Sequence, residues 1–158
     1  MHIGIIVYSQ TGTTLAVAEK MKETLIAAGH IADIGLITIE DKGKSDSSVV
    51  LKDTPPVDGY DALIFGAPVQ AFSLCAPMAK YLKQLPSVRG VPAACYVLQG
   101  LNKDWMGGNR AIKTIRKHLL DKGADPVRLG VVHSRSSQYA AQTADVVSAA
   151  AKFAATAK

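Results

Sequence analysis

Ile3-Gly4-Ile5-Ile6-Val7-Tyr8-Ser9-Gln10-Thr11-Gly12-Thr13-Thr14 lies at the start of the chain, and the rest is read outward from it. The first half is an apolar run that suits a strand buried on both faces. The second half is a hydroxyl-rich loop built around one glycine. Beyond it, Val17, Met21, Leu25 and Ala28 recur at spacings of three or four and stop at Gly29, the pattern of an amphipathic helix. Strand, tight turn and helix in that order aim the loop at a helix N-terminus. There, unpaired N–H groups and the positive end of the helix dipole favour an anion. Ser9, Thr11, Thr13 and Thr14 can each add a hydroxyl donor, and Gly12 lets the backbone turn closely. Together with Gln10 these residues read as a phosphate cradle. Ser and Thr are also ordinary helix caps, but four hydroxyls in six positions exceed what a cap uses.

The cradle contains no Lys or Arg, so it is not the P-loop pattern, which needs Gly-Lys followed by Ser or Thr. Gly4 and Gly12 are too widely spaced for the dinucleotide fingerprint. A neutral set of N–H and hydroxyl donors suits a small monophosphate held without a metal.

A length of 158 residues fits one domain, spanning 1–158, with a sizeable core. Hydrophobic residues make up 48% and charged residues 20%, ordinary values for a globular protein. No apolar run reaches membrane-spanning length, and the N-terminus enters a strand without a signal-peptide pattern. The two cysteines, Cys75 and Cys95, form no metal or redox spacing and read as reduced, buried fillers of a cytoplasmic protein. The net charge of +5 leaves nucleic acid, membrane surfaces and acidic proteins open as partners.

Further along, residues 31–37 read as a second strand, placed at a sheet edge by Asp33 and Gly35. Residues 40–56 are polar, with Gly43, three serines and Pro55-Pro56, and form a surface connection with room for a short strand at Val49-Val50-Leu51. Residues 58–65 lead into a third strand, 66–73 form a loop, and 74–85 show helical periodicity with Pro77 in the first turn. A fourth strand spans 93–98 and a loop spans 99–108. Asn109 can cap a helix with the stripe Ile112, Ile115 and Leu119, which Gly123 ends. A fifth strand at 127–133 and a helix at about 140–155 complete the chain. Alternating strands and helices predict an α/β fold, a parallel sheet covered on both faces, with its ligand outside the carboxyl ends of the strands.

On these residues the chain resembles the flavodoxin-like family in its short-chain form. The resemblance rests on the run from Tyr8 to Thr14, on Gly66-Ala67-Pro68 closing the third strand, and on Trp105-Met106-Gly107-Gly108 after the fourth. It covers nearly the whole chain and implies a three-layer sandwich with five parallel strands in the order 2-1-3-4-5. It also implies flavin mononucleotide (FMN) as cofactor, with the first loop on the phosphate and the other two enclosing the ring. Carried over, Pro68, Val69, Gln70, Ala71 and Phe72 flank the ring on one side. Gln99, Gly100, Trp105, Met106, Gly107 and Gly108 flank it on the other. Phe72 and Trp105 supply the aromatic walls that a flat ring needs, and Gly107-Gly108 allow close backbone approach. Related sequences often carry an aromatic residue where this chain has Gln70. They also carry a loop glycine that answers the half-reduced flavin, and none stands between Ala67 and Ala76.

The charge departs from the usual acidic electron carrier. Lys103, Arg110, Lys113, Arg116, Lys117, Lys122 and Arg128 surround the third loop and its helix, against Asp104, Asp121 and Asp125. They suit a docking patch for an acidic redox partner, or a field favouring the anionic reduced flavin. No aromatics alternate with them, which disfavours nucleic acid. The histidines are dispersed; His133, ending the fifth strand, reads as a strand-end residue before a pocket-facing one, and no nucleophile elbow or Cys–His arrangement is present. A receiver-type phosphorylation domain needs acidic residues where Ser9 and Gly66 stand. The reading is a monomeric or weakly dimeric FMN electron carrier with no catalytic side chain, no metal and no membrane partner. The rivals are an FMN-dependent reductase of quinones or other small acceptors and a sensory module without turnover.

Overall fold

The protein is described by a computed structural model covering residues 1–40 and 48–157. Five strands form one parallel sheet: β1 (His2–Val7), β2 (Ile31–Leu36), β3 (Ala62–Gln70), β5 (Ala93–Gln99) and β6 (Val127–His133). Their order is β2-β1-β3-β5-β6, and the two-residue β4 (Ser73–Leu74) adds antiparallel to β3. With β4 set aside, this is the expected order 2-1-3-4-5. The helices are α1 (Thr13–Ala27), α2 (Ala76–Lys83), α3 (Gly108–Asp121) and α4 (Tyr139–Thr156).

The continuous apolar runs are explained by burial on both faces, with side chains sorted at a period of two. Ile3, Ile5 and Val7 of β1, Ile64 of β3, and Tyr96 and Leu98 of β5 pack with Val17 and Met21 of α1 and Val146 and Phe153 of α4. Their strand neighbours Ile6, Leu63, Phe65, Cys95 and Val97 pack with Met78 and Leu82 of α2 and Ile115 and Leu119 of α3 on the opposite face. Strand β2 is an edge, as Asp33 and Gly35 indicate, and Asp33 Oδ2 there lies 2.5 Å from His2 Nε2.

Four local expectations are corrected. Residues 66–73 are not a loop: β3 continues to Gln70, and a two-residue turn, Ala71-Phe72, returns the chain into β4. The following helix is shorter than 74–85, because Ser73 and Leu74 are used in the hairpin. Asn109 does not cap α3. The helix starts directly after Gly107, and Asn109 Oδ1 instead accepts a bond from Arg128 Nη1 at 2.8 Å. Around 49–51 only Leu51 pairs, in one antiparallel bridge with Ile39. Gly43, Ser45 and Ser47 of the polar connection lie outside the described residues.

Candidate cofactor site

The carboxyl ends of β1, β3, β5 and β6 meet around a cleft of about 230 Å³. Gln10, Thr11, Thr13 and Thr14 of the first loop form one wall, and Pro68, Val69 and Gln70 at the end of β3 form a second. Leu98, Gln99 and Gly100 at the end of β5 and Ser134 and Arg135 after β6 close it. The fold thus places most of the expected residues in one concavity, where doubly wound sheets hold their ligands.

The first loop is ordered from within. Ser9 Oγ accepts the Gly12 N–H at 3.1 Å and the Leu15 N–H at 3.3 Å, so Ser9 braces the loop and does not line the cleft. Gly12 precedes α1 at φ 90°, a left-handed conformation that a side chain would disfavour, and it too stays off the cleft wall. A helix start leaves four N–H groups without intrahelical partners. Ser9 satisfies two, and those of Thr13 and Thr14 have no acceptor among the described residues. Thr11 Oγ1 and Thr13 Oγ1 lie 3.2 Å apart at the same edge. The arrangement provides donors for an anion and no carboxylate to oppose one.

Beneath the cradle, the fully buried Tyr96 donates its hydroxyl to the Thr14 carbonyl at 2.9 Å, tying β5 to the first turn of α1. Its ring occupies the space a Cβ on Gly66 would take, which explains the glycine there. Across the cleft, Gln70 Nε2 donates to Gln10 Oε1 at 2.5 Å and links the first two loops. Gln70 Oε1 is buried without a protein partner. The position that lacks an aromatic residue therefore carries a free acceptor instead.

A second cavity of about 230 Å³ adjoins the first and shares Val69, Gln99, Gly100 and Arg135 with it. Ala71, Phe72, Leu101 and Met106 complete its lining. Ala71 and Phe72 form the hairpin turn at φ 49° and 62°, strained values for residues with side chains. Phe72 is 60% exposed. Trp105, on a 3-10 turn at Asp104–Met106, is 74% exposed and lines neither cavity. Gly107 and Gly108 also line neither: Gly107 packs against Val69 and the Phe72 backbone, and Gly108 against Gln99 and Val131. These glycines let the third loop pack onto the protein.

Gln99 is buried, and its Nε2 donates to the Leu101 carbonyl at 2.8 Å and the Lys103 carbonyl at 2.5 Å, so it shapes the third loop. His133 does not face the cleft. Gln142 Oε1 accepts its backbone N–H at 2.8 Å, so Gln142 Nε2 is turned to donate to His133 Nδ1, also at 2.8 Å. His133 Nε2 lies 2.7 Å from Asp104 Oδ1, and Asp104 Oδ2 also accepts from Arg128 at 3.2 Å. Of the seven basic residues around this loop, Arg116 is paired with Asp125 at 2.8 Å and Arg128 with Asp104. The Asp125 carboxylate raises the Arg116 pKa, and Arg116 in turn lowers that of Asp125.

Burial pushes the Cys75 and Cys95 thiols up to about 12, as fits inert core residues. Among the described residues no group of side chains could hold a metal, and no helix is long and apolar enough to cross a membrane. The sequence reading missed Leu98, Leu101, Ser134 and Arg135. The available signal was the fourth carboxyl-end loop, Ser134-Arg135-Ser136 after β6, which lies at the same edge of the sheet.

No protein-family model matches the sequence, and no curated protein matches it significantly. Solved structures do. A cysteine-to-serine mutant of flavodoxin from Pseudomonas aeruginosa is similar with a TM-score of 0.70 and 19% identity, covering 99% of each chain. The flavodoxin of Streptococcus pneumonia TIGR4 gives 0.70 and 17% identity over 98% of this chain and 99% of that one. The flavodoxin of Fusobacterium nucleatum bound to flavin mononucleotide gives 0.66 and 12% identity over 99% of each. At these identities the likeness establishes the architecture: this chain has the flavodoxin fold.

Proposed function

We propose that this protein binds FMN in the cleft and acts as an electron-transfer protein. The observation that carries the reading is the pair of unsatisfied N–H groups at Thr13 and Thr14, set beside the Thr11 and Thr13 hydroxyls on the cleft wall. They suit a phosphate monoester. The orphaned Gln70 Oε1 suits a donor such as the ring imide or a ribityl hydroxyl. Val69, Phe72 and Met106 offer apolar surface to a flat ring in the adjoining cavity. A structural neighbour, the Fusobacterium nucleatum flavodoxin, binds the same nucleotide.

When bound, FMN would supply one- and two-electron chemistry, and the protein would tune and present it. Thr11, Thr13 and Thr14 would hold the phosphate, the Gln10–Gln70 link would fix the two loops against each other, and Leu98 and Val69 would exclude water. No side chain is needed as an acid or base. Lys113 and Lys117 on the exposed side of α3, without an ion-pair partner among the described residues, favour an acidic redox partner.

The test starts with the visible spectrum of the purified protein and the identity of any released cofactor. Thr11→Ala with Thr13→Ala is then titrated with FMN and riboflavin. Each lost hydrogen bond to the charged phosphate costs roughly 1.5–3 kcal/mol, so FMN binding falls far more than riboflavin binding. Equal losses would refute the phosphate assignment, and steady turnover of quinones with NAD(P)H would mark the protein as a reductase.

A further inference from the structure

We propose that Arg135 is the cationic residue of the cofactor cleft, its guanidinium binding the anionic group of the flavin nucleotide. The assignment rests on the reading that the cleft holds FMN. It adds a positive charge to a site whose first loop has none.

Arg135 is held in place by its backbone. The Ser134 N–H donates to the Gln99 carbonyl at 2.9 Å, the Ser136 N–H to the His133 carbonyl at 3.1 Å, and the Gln138 N–H to Ser136 Oγ at 3.0 Å. The turn after β6 is therefore docked on the end of β5 and presents Arg135 where the two cavities adjoin; it lines both. Its side chain runs beside Gly100, where a Cβ would sit 3.7 Å from Nε. Among the described residues Arg135 is the one cationic side chain lining either cavity, and Arg128 of β6 is paired with Asp104 and Asn109. Arg135 has no hydrogen bond or ion pair among the described residues, and no acidic side chain lines either cavity.

An uncompensated guanidinium on a concave wall concentrates anions, and its fork of N–H donors matches a phosphate or an imide anion. Arg135 lines the first cavity together with Thr11 and Thr13, so an anion there has both a guanidinium and hydroxyl donors in its walls. FMN offers two such groups, the phosphate in every state and the ring once it is reduced and deprotonated. Both are the same chemistry toward Arg135, and two measurements separate them.

Arg135→Gln, Arg135→Lys and the control Arg110→Gln on the exposed side of α3 are titrated with oxidised FMN and riboflavin. The two-electron midpoint potential of each FMN complex is measured alongside. If the anion is the phosphate, Arg135→Gln weakens FMN about tenfold, the loss of one charged hydrogen bond, and leaves riboflavin within about twofold. Arg135→Lys recovers most of that loss, and the salt dependence of FMN binding flattens in Arg135→Gln. If the anion is the reduced ring, oxidised affinities are unchanged, and the potential falls in Arg135→Gln but not in Arg135→Lys. Unchanged affinities and potential in Arg135→Gln, or an equal response in Arg110→Gln, overturn the assignment and leave Arg135 a solvated arginine. A wild-type protein that binds no flavin overturns the cofactor reading itself, a result the wild-type titration gives separately.

Discussion

Ala71→Gly should stabilise the protein, against the usual effect of that substitution. Ala71 stands at φ 49° in the turn between Gln70 and Ser73, where two-residue hairpins normally place Asn-Gly or similar residues. An L-residue in the left-handed region costs about 1–2 kcal/mol relative to its right-handed alternative. Glycine avoids that cost but loses about 0.5–1 kcal/mol more chain entropy on folding. Ala71 is exposed, so its methyl group contributes little burial. The difference leaves a net gain of about 0.5–1 kcal/mol, worth roughly 1–4 °C in Tm for a chain of this size. The assay is equilibrium urea unfolding with the slope m compared between variants. Ala144→Gly, at an exposed site inside α4, serves as the counterpart and should destabilise by about 1 kcal/mol. The same chemical change thus acquires opposite signs from the backbone angle alone. If both variants lose stability by similar amounts, the left-handed strain at Ala71 is refuted.

Gly66→Ala should cost about 1–3 kcal/mol by overpacking, because its Cβ falls on the Tyr96 ring, which is pinned by its bond to the Thr14 carbonyl; thermal unfolding measures it. Neither Cys75 nor Cys95 should react with a thiol reagent in the native protein at pH 8, and both should react in denaturant, since burial holds the thiols protonated. The His118 pKa is lowered first by burial and then by Lys83, with Lys117 and Lys122 adding to it and Asp121 opposing. Its contribution is therefore complete above the unfolded pKa of about 6.5 and is lost as pH falls through the lower folded value. His118→Gln should flatten the stability profile below pH 6.5, and an unchanged slope would assign it to other groups.

The first 29 residues were legible because their signals are local. The apolar run, the hydroxyl-rich turn and the spacing of Val17, Met21 and Leu25 each report on a few neighbouring residues. Alternation of such units gave the parallel α/β architecture, and Asp33 with Gly35 marked β2 as an edge. The hairpin at β3–β4 was illegible because Ala71-Phe72 carries no turn-forming residue, and pairing across Val69 and Leu74 imposes the turn against local preference. The roles of Asn109, Gln99, Trp105, Gly107 and Gly108 were assigned from sequence position alone. In the fold, Asn109 meets Arg128, Gln99 holds the third loop, Trp105 turns outward, and the two glycines pack against β3, β5 and β6. Arg135 carries no motif and reaches the cleft because β6 lies beside β5, so that the turn after it docks on Gln99. Sequence periodicity determined which elements form and which faces they bury. The order of strands in the sheet decided which loops meet, because residues far apart in the chain become neighbours only when backbone pairing brings their strand ends together.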